Sequence, residues 1–157
     1  MAFSMLRKEV PNAKLWIVGS PTDVKMTANS LGLSLKNIEG FHNISHEELM
    51  KLYLGAKVTI FPSFYEAFGY VALESMVCGT PVIASPAVAQ ELIIPSYNGF
   101  IVNPNDPVTI KDYAHKLLTD EELWQLMSRR CRRIARRFSA ENVLLNLLSV
   151  YMDVLDG

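Results

Sequence analysis

The sequence predicts an α/β domain built on a parallel, doubly wound sheet with helices on both faces. Three observations predict it. Short apolar runs of strand length alternate along the chain with longer segments of helical period. Glycine, proline or a capping residue stands at most of the boundaries, so the connections are short. The 157 residues, half of them hydrophobic, suffice to bury one core. One domain is therefore expected over 1–157, with the C-terminal helices in 107–155.

A helix is expected from Ala2 to Val10, with Phe3, Leu6 and Val10 on one stripe and Pro11-Asn12 as its end. Leu15-Trp16-Ile17-Val18 reads as a buried strand, and Gly19-Ser20-Pro21 turns out of it. A second helix runs from about Thr22 to Leu31 and stops at Gly32. Ile38 to Phe41 is a short strand. Ser45-His46-Glu47-Glu48 forms a capping box for a helix carrying Leu49, Leu52 and Tyr53 as far as Gly55. Val58 to Phe61 is the next strand, ended by Pro62 and Ser63 because proline cannot donate to a ladder.

Ala67 to Cys78 favours helix, with Phe68, Val71, Ala72, Met76 and Val77 apolar, and Gly79 stops it. Pro81 to Ala84 is a strand, Val88 to Ile94 a short helix, and Gly99 to Val102 the last strand. Asp106-Pro107 opens a helix by the cap-then-proline rule. Thr119-Asp120-Glu121-Glu122 caps the next. Ser139 begins the last, whose stripe is Val143, Leu144, Leu147, Leu148, Tyr151 and Leu155.

Chemistry concentrates in Phe61 to Val82, F-P-S-F-Y-E-A-F-G-Y-V-A-L-E-S-M-V-C-G-T-P-V. Glu66 lies at or just before the first turn of the helix and Glu74 eight positions later. At roughly 1.5 Å of rise per residue they stand about 12 Å apart along the axis, with directions differing by about 80°. The helix N-terminus beside Glu66 offers free N–H groups that attract anions, above all phosphate. A ligand with hydroxyls at both ends and a diphosphate in the middle suits this arrangement. A nucleotide sugar is such a ligand.

With Pro62-Ser63, Phe68-Gly69 and Cys78-Gly79-Thr80-Pro81-Val82 around the two glutamates, the stretch resembles the donor-site signature of retaining glycosyltransferases. The resemblance is to the C-terminal, Rossmann-like half of the GT-B fold in glycosyltransferase family 4, with Glu66 and Glu74 as its E-x7-E motif. Val18-Gly19, Asn37-Ile38, Glu48-Leu49, Leu52-Tyr53, Glu91, Gly99 and Phe138-Ser139 also fall where that family places similar residues. The match extends over nearly the whole chain.

The resemblance implies that Glu66 accepts hydrogen bonds from donor-sugar hydroxyls and is the catalytic-site carboxylate. Glu74 would hold the ribose hydroxyls. Phe68, Gly69, Tyr70 and Val71 would meet the diphosphate through backbone N–H groups, and Gly69 has a reason to be glycine, since a side chain would stand between helix and ligand. Gly19, Phe41 and His42 would line the phosphate and base end, at strand termini where open α/β sheets place ligands. Transfer would proceed with retention, without a metal or other cofactor. For Glu66 the plainer reading is a helix-start glutamate favoured by the dipole, for Glu74 a surface glutamate, and for His42 a loop histidine.

Three departures stand out. The strand expected before the first helix, with its phosphate-gripping arginine and lysine, has no counterpart, and neither has an N-terminal Rossmann half for the acceptor glycan or lipid-linked acceptor. Ser85 to Glu91 lacks a glycine pair, and His42 stands where glycine is common. In the order 3-2-1-4-5-6 the absent strand is central. The gap would separate Leu15–Val18 from Val58–Phe61, so direct pairing of these two, or a strand from a partner and self-association, is expected.

The formal net charge of −1 favours no class of partner. The two cysteines, Cys78 and Cys131, have no metal-ligand spacing and read as small buried hydrophobes. No span or signal peptide is visible, so a cytoplasmic location is expected. Arg129 to Arg137 holds six arginines that cannot share one helix face, and Cys131, Ile134 and Ala135 should point inward. The solvated remainder suits either plain solubility or peripheral contact with an anionic membrane. Nucleic acid is disfavoured, since no aromatic residues interleave. The functional expectation is the donor-binding domain of a glycosyltransferase in glycan, glycolipid or polysaccharide synthesis. The alternatives are a non-catalytic nucleotide-sugar binding module needing a partner half, and a basic interaction domain.

Overall fold

A computed structural model describes all residues except Ser20, Leu31, Leu33, Ala89, Gln90, Asp156 and Gly157, and only the backbone of 21–24. The elements run α1 (Ala2–Glu9), β1 (Leu15–Val18), α2 (Pro21–Ser30), β2 (Ile38–Phe41), α3 (His46–Gly55), β3 (Thr59–Phe61), α4 (Tyr70–Val77), β4 (Val82–Ala84) and β5 (Gly99–Ile101). Helices α5 (Pro107–Thr119), α6 (Glu121–Ala135) and α7 (Ala140–Leu155) follow, with a 3-10 turn at Arg136–Phe138 before α7. All strand pairs are parallel.

The larger sheet, ordered β3-β4-β5, carries the core on both faces. Val82 and Ala84 point to one face, where Ala72 and Met76 of α4, Leu92, Ile93 and Cys131 pack. Ile83 points to the other, against Leu6, Phe100, Ile110, Leu117 and Met127. This is the period-two alternation of a sheet covered on both sides. Residues Val82, Ile83, Ala84, Met76 and Leu92 are all fully buried.

Strands β1 and β2 form a second, separate sheet. The expected direct pairing of Leu15–Val18 with Val58–Phe61 does not occur. Leu15 and Gly19 donate their N–H groups toward β2, while Thr59 and Phe61 bond toward β4. In a parallel strand the intervening residues, Trp16 and Ile60, face the opposite way. Helices connect the sheets instead. Arg7 of α1 donates to the Lys36 carbonyl before β2 while Leu6 sits in the large-sheet core. On the other side Gly55 of α3 abuts the Trp16 ring, and Thr80 Oγ1 donates to the Tyr53 carbonyl at 2.6 Å. A helix-mediated link satisfies side-chain packing without strand hydrogen bonds.

Most boundaries fall within two residues of expectation, and the capping box at Ser45 and Glu48 is present, with Ser45 N donating to Glu48 Oε2 at 2.8 Å. Three expectations need correction. Helix α4 begins at Tyr70 rather than Ala67, because Gly69 takes a left-handed conformation at its N-cap, φ 99°. The described residues of 88–94 form turns, not a helix; 89 and 90 lie outside the description. Val88, Leu92 and Ile93 are buried as loop residues. Buried Asn98 holds the loop at Leu92 and Ile94, its amide donating to the Leu92 carbonyl at 2.7 Å and its Oδ1 accepting from Ile94 N at 2.8 Å. Finally, Asp120 rather than Thr119 caps α6, accepting from Leu123 N, and Thr119 donates back to the His115 carbonyl.

The stripe on α7 is not covered: Val143, Leu144, Leu147, Leu148, Tyr151 and Leu155 are all exposed. The arginines of α6 are partly consumed inside the fold. Arg132 donates to the Cys78 carbonyl at 2.9 Å, ending α4, and Arg130 lies 4.2 Å over the Tyr97 ring. Cys131, Ile134 and Ala135 are buried as expected. Both thiols are free, and burial pushes that of Cys131 up to about 12.

Two substitutions test these arguments. Ser75→Ala removes a buried hydroxyl that joins α4 to Thr59 and to the Thr80 carbonyl. It should cost about 1–3 kcal/mol in urea denaturation, since its partners are left without a bond. Gly69→Ala meets both the left-handed backbone and a Val88 methyl 2.9 Å from the new Cβ. A loss of about 1–3 kcal/mol is expected from backbone strain, and a melt unchanged from the parent would refute it.

Candidate functional site

The site lies where β3 ends. Phe61 leaves the sheet, and Pro62 to Gly69 crosses to the start of α4. The Ser63 hydroxyl donates to the Tyr65 carbonyl at 2.8 Å, and Ser85 Oγ donates to the Ser63 carbonyl, which ties this loop to the end of β4. Glu66 sits on the loop, exposed and without a hydrogen-bond partner among the described residues. It is therefore not helical, and the axial spacing computed for two helical glutamates does not apply. Phe64, Tyr65 and Tyr70, 61, 92 and 70 % exposed, lie close to it in sequence.

Helix α4 starts without a side-chain cap. Ala72 N and Leu73 N donate to the Gly69 carbonyl at 2.9 and 3.2 Å. The Tyr70 and Val71 amides precede the first helical donor, Ala72 N, and have no partner among the described residues, as the opening of an uncapped helix requires. Of the four amides expected to meet a diphosphate, these two are the helix-end donors, while Phe68 and Gly69 belong to the turn. Gly69 is itself buried, beside Val88. The Phe68 ring packs on Tyr70 and Phe138 at 5.2 and 5.6 Å between centroids, which secures the turn from below.

Glu74 projects from α4 toward α3. Its Oε1 lies 3.8 Å from His46 Nδ1, with the two side chains 29 and 69 % exposed respectively. The buried Tyr53 phenol lies beside the same carboxylate. Burial first, then the Glu74 charge, pushes it up to about 12. His46 and Tyr53 stand seven positions apart on α3, hence on one face. Sequence reasoning did not single them out as neighbours of Glu74; the spacing was the available signal.

Gly19, Phe41 and His42 come together at the corresponding end of the small sheet. Gly19 N donates to the Phe41 carbonyl, and His42 Nδ1 lies 2.9 Å from the Gly19 carbonyl. Gly19 has φ 146° with open space where a side chain would point. Both groups thus sit at carboxyl ends of parallel strands, and the Glu74–His46 approach brings the segment after β2 to α4. A cavity of about 310 Å³ lined by Lys14, Trp16, Asn37, Ile38 and Glu39 belongs to the small sheet and contains none of these residues. Among the described residues no three His, Cys, Asp or Glu side chains cluster as metal ligands, and no helix is long and apolar enough to cross a membrane.

Comparison with known proteins identifies the family and the fold. The chain is 32 % identical over 138 residues to an uncharacterized glycosyltransferase of Methanocaldococcus jannaschii, covering 80 % of this chain and 39 % of that protein. It is 32 % identical over 132 residues to a D-inositol 3-phosphate glycosyltransferase of Salinispora tropica, covering 83 % and 27 %. The chain thus spans between a quarter and two fifths of these relatives. Among solved structures, sucrose-phosphate synthase from Thermosynechococcus elongatus superposes with a TM-score of 0.81 at 26 % identity, over 99 % of this chain and 42 % of that one. The C-terminal domain of a glycosyl transferase group 1 family protein from Francisella tularensis gives 0.75 at 23 %, over 87 % and 75 %. The fold is that of the C-terminal domain of GT-B glycosyltransferases. The family model for glycosyl transferases group 1 matches residues 1–138, and the chain belongs to that family.

Proposed function

We propose that this chain is the donor-binding half of a retaining glycosyltransferase that uses a nucleotide diphosphate sugar. The observation that carries the reading is the uncapped start of α4, with the open Tyr70 and Val71 amides between Glu66 on the preceding loop and Glu74 on the helix. In this reading Glu74 accepts the ribose hydroxyls and Glu66 those of the transferred sugar. The amides at the helix end, with the adjoining Phe68 and Gly69 turn, stabilise the diphosphate as it departs with the bonding electron pair. The acceptor oxygen bonds the anomeric carbon on the face the diphosphate leaves, and its proton passes to a phosphate oxygen. Gly19, Phe41 and His42 flank the base end.

Such chemistry needs fixed dipoles but no divalent ion, and we place it in the cytoplasm. The acceptor, a glycan or a lipid-linked acceptor, would be held by a second Rossmann half. Arg129 within α6 and Arg136 and Arg137 in the following turn, all exposed, are the residues left for contact with an anionic membrane.

Two experiments test the reading. Donor binding should survive EDTA. Glu74→Ala should weaken nucleotide diphosphate and nucleotide sugar alike, whereas Glu66→Ala should weaken mainly the sugar-bearing ligand, by about 1–3 kcal/mol for a hydrogen bond to a charged group. Calorimetry that finds equal losses for both ligands in both variants would overturn the roles. Sugar transfer by the purified chain should be negligible, because orienting an acceptor can lower a barrier by roughly 7–11 kcal/mol. Robust transfer by the chain alone would place the acceptor site within it; binding of donor with no transfer when an acceptor half is supplied would favour a non-catalytic module.

A further inference from the structure

We propose that His46 is a positioning residue for Glu74 and makes the binding of a nucleotide sugar weaken as the pH falls. The inference rests on the reading that Glu74 takes the ribose hydroxyls. His46 is the first residue of α3, and the reciprocal bonds between Ser45 and Glu48 fix its backbone. The body of α3 is bolted to α4 by the Thr80 hydroxyl on the Tyr53 carbonyl and by Cys78 Sγ, 3.7 Å from the Met50 carbonyl. The imidazole is thereby carried to within 3.8 Å of the Glu74 carboxylate.

The groups around Glu74 separate cleanly by chemistry. From α3 come His46 and Tyr53, and from α4 itself Cys78. The phenol, pushed up to about 12, and the thiol, raised chiefly by burial, both stay neutral across the physiological range. Arg132 of α6 lies against Cys78 and is spent on its carbonyl. On α3, Glu47 pairs with Lys51, and Glu48 is held by Ser45. Histidine is the side chain that ordinarily changes charge between pH 5 and 8. A neutral imidazole leaves the carboxylate free to accept two hydroxyls. A protonated one draws the carboxylate into an ion pair and competes with the ligand for it.

The test is calorimetric titration of the whole chain with UDP-glucose, GDP-mannose and ADP-glucose at pH 5.5 and 8.0 and constant ionic strength. Diphosphate diesters keep a constant charge over this range, so the ligand contributes no pH term. The tightest binder at pH 8.0 should bind roughly 2–5-fold more weakly at pH 5.5, the range expected of a partly exposed ion pair. His46→Asn, a change at an exposed position, should abolish that dependence, and Glu74→Gln should flatten it while weakening binding at both values. Thermal melts of each variant at both values exclude unfolding as the cause. Equal or tighter binding at pH 5.5, or a loss that persists in His46→Asn, overturns the inference and leaves the donor-site reading standing. Binding of none of the three sugars at pH 8.0 overturns that reading, and this inference with it.

Discussion

Ser75 is the constraint on which the site depends. It has no exposed surface, and its hydroxyl donates to the Thr80 carbonyl at 2.9 Å and lies 2.8 Å from Thr59 Oγ1. Thr80 in turn donates to the Tyr53 carbonyl at 2.6 Å. Strand β3, helices α3 and α4 and the turn into β4 therefore share one buried polar network with every member bonded. Such a network is costly to leave half made and so specifies one arrangement. It sets the rotation of α4, and with it the direction of Glu74, one residue away from Ser75.

The same helix is fixed at both ends by different means. At its start Gly69 supplies a conformation that a residue with a side chain rarely adopts, and Val88 closes the space beneath. At its end Arg132 reaches from α6 to the Cys78 carbonyl, where a cation also suits the helix dipole. The arginine-rich segment thus has a structural task that bulk charge does not disclose. Half of its arginines, Arg130, Arg132 and Arg133, engage Tyr97, Ser128 or Cys78.

The large sheet is covered on both faces, by one buried cluster on each, whereas the small sheet is tied to it through Arg7 of α1 and through the Trp16 ring lying against Gly55 of α3. The two halves of the proposed donor site, Gly19 with Phe41 and His42 beside one sheet and Glu66 to Glu74 beside the other, consequently sit on units with no shared strand ladder. Their separation is set by the packing of α1 and α3 rather than by a row of backbone hydrogen bonds. The bare stripe of α7 is a further surface left without partners among the described residues.

The sequence by itself determined the parallel α/β class, nearly every element and the motif of the site. Those features are written locally: apolar runs, the Ser45 capping box, the Asp106-Pro107 start and the Gly79 stop are read within a few residues. Tertiary structure decided what depends on distant atoms. Val88, Leu92 and Ile93 carry a helical pattern, yet buried Asn98 takes up the Leu92 carbonyl and the Ile94 amide, and no helix forms among the described residues there. Glu66 stands four residues ahead of α4 rather than beside its first turn, because Gly69 turns left-handed against Val88. His46 and Tyr53 reached Glu74 because α3 packs on α4 through contacts 27 or 28 residues apart in sequence. Whether β1 would meet β3 was likewise beyond local pattern, since strand pairing is decided by which edges the helices bring together.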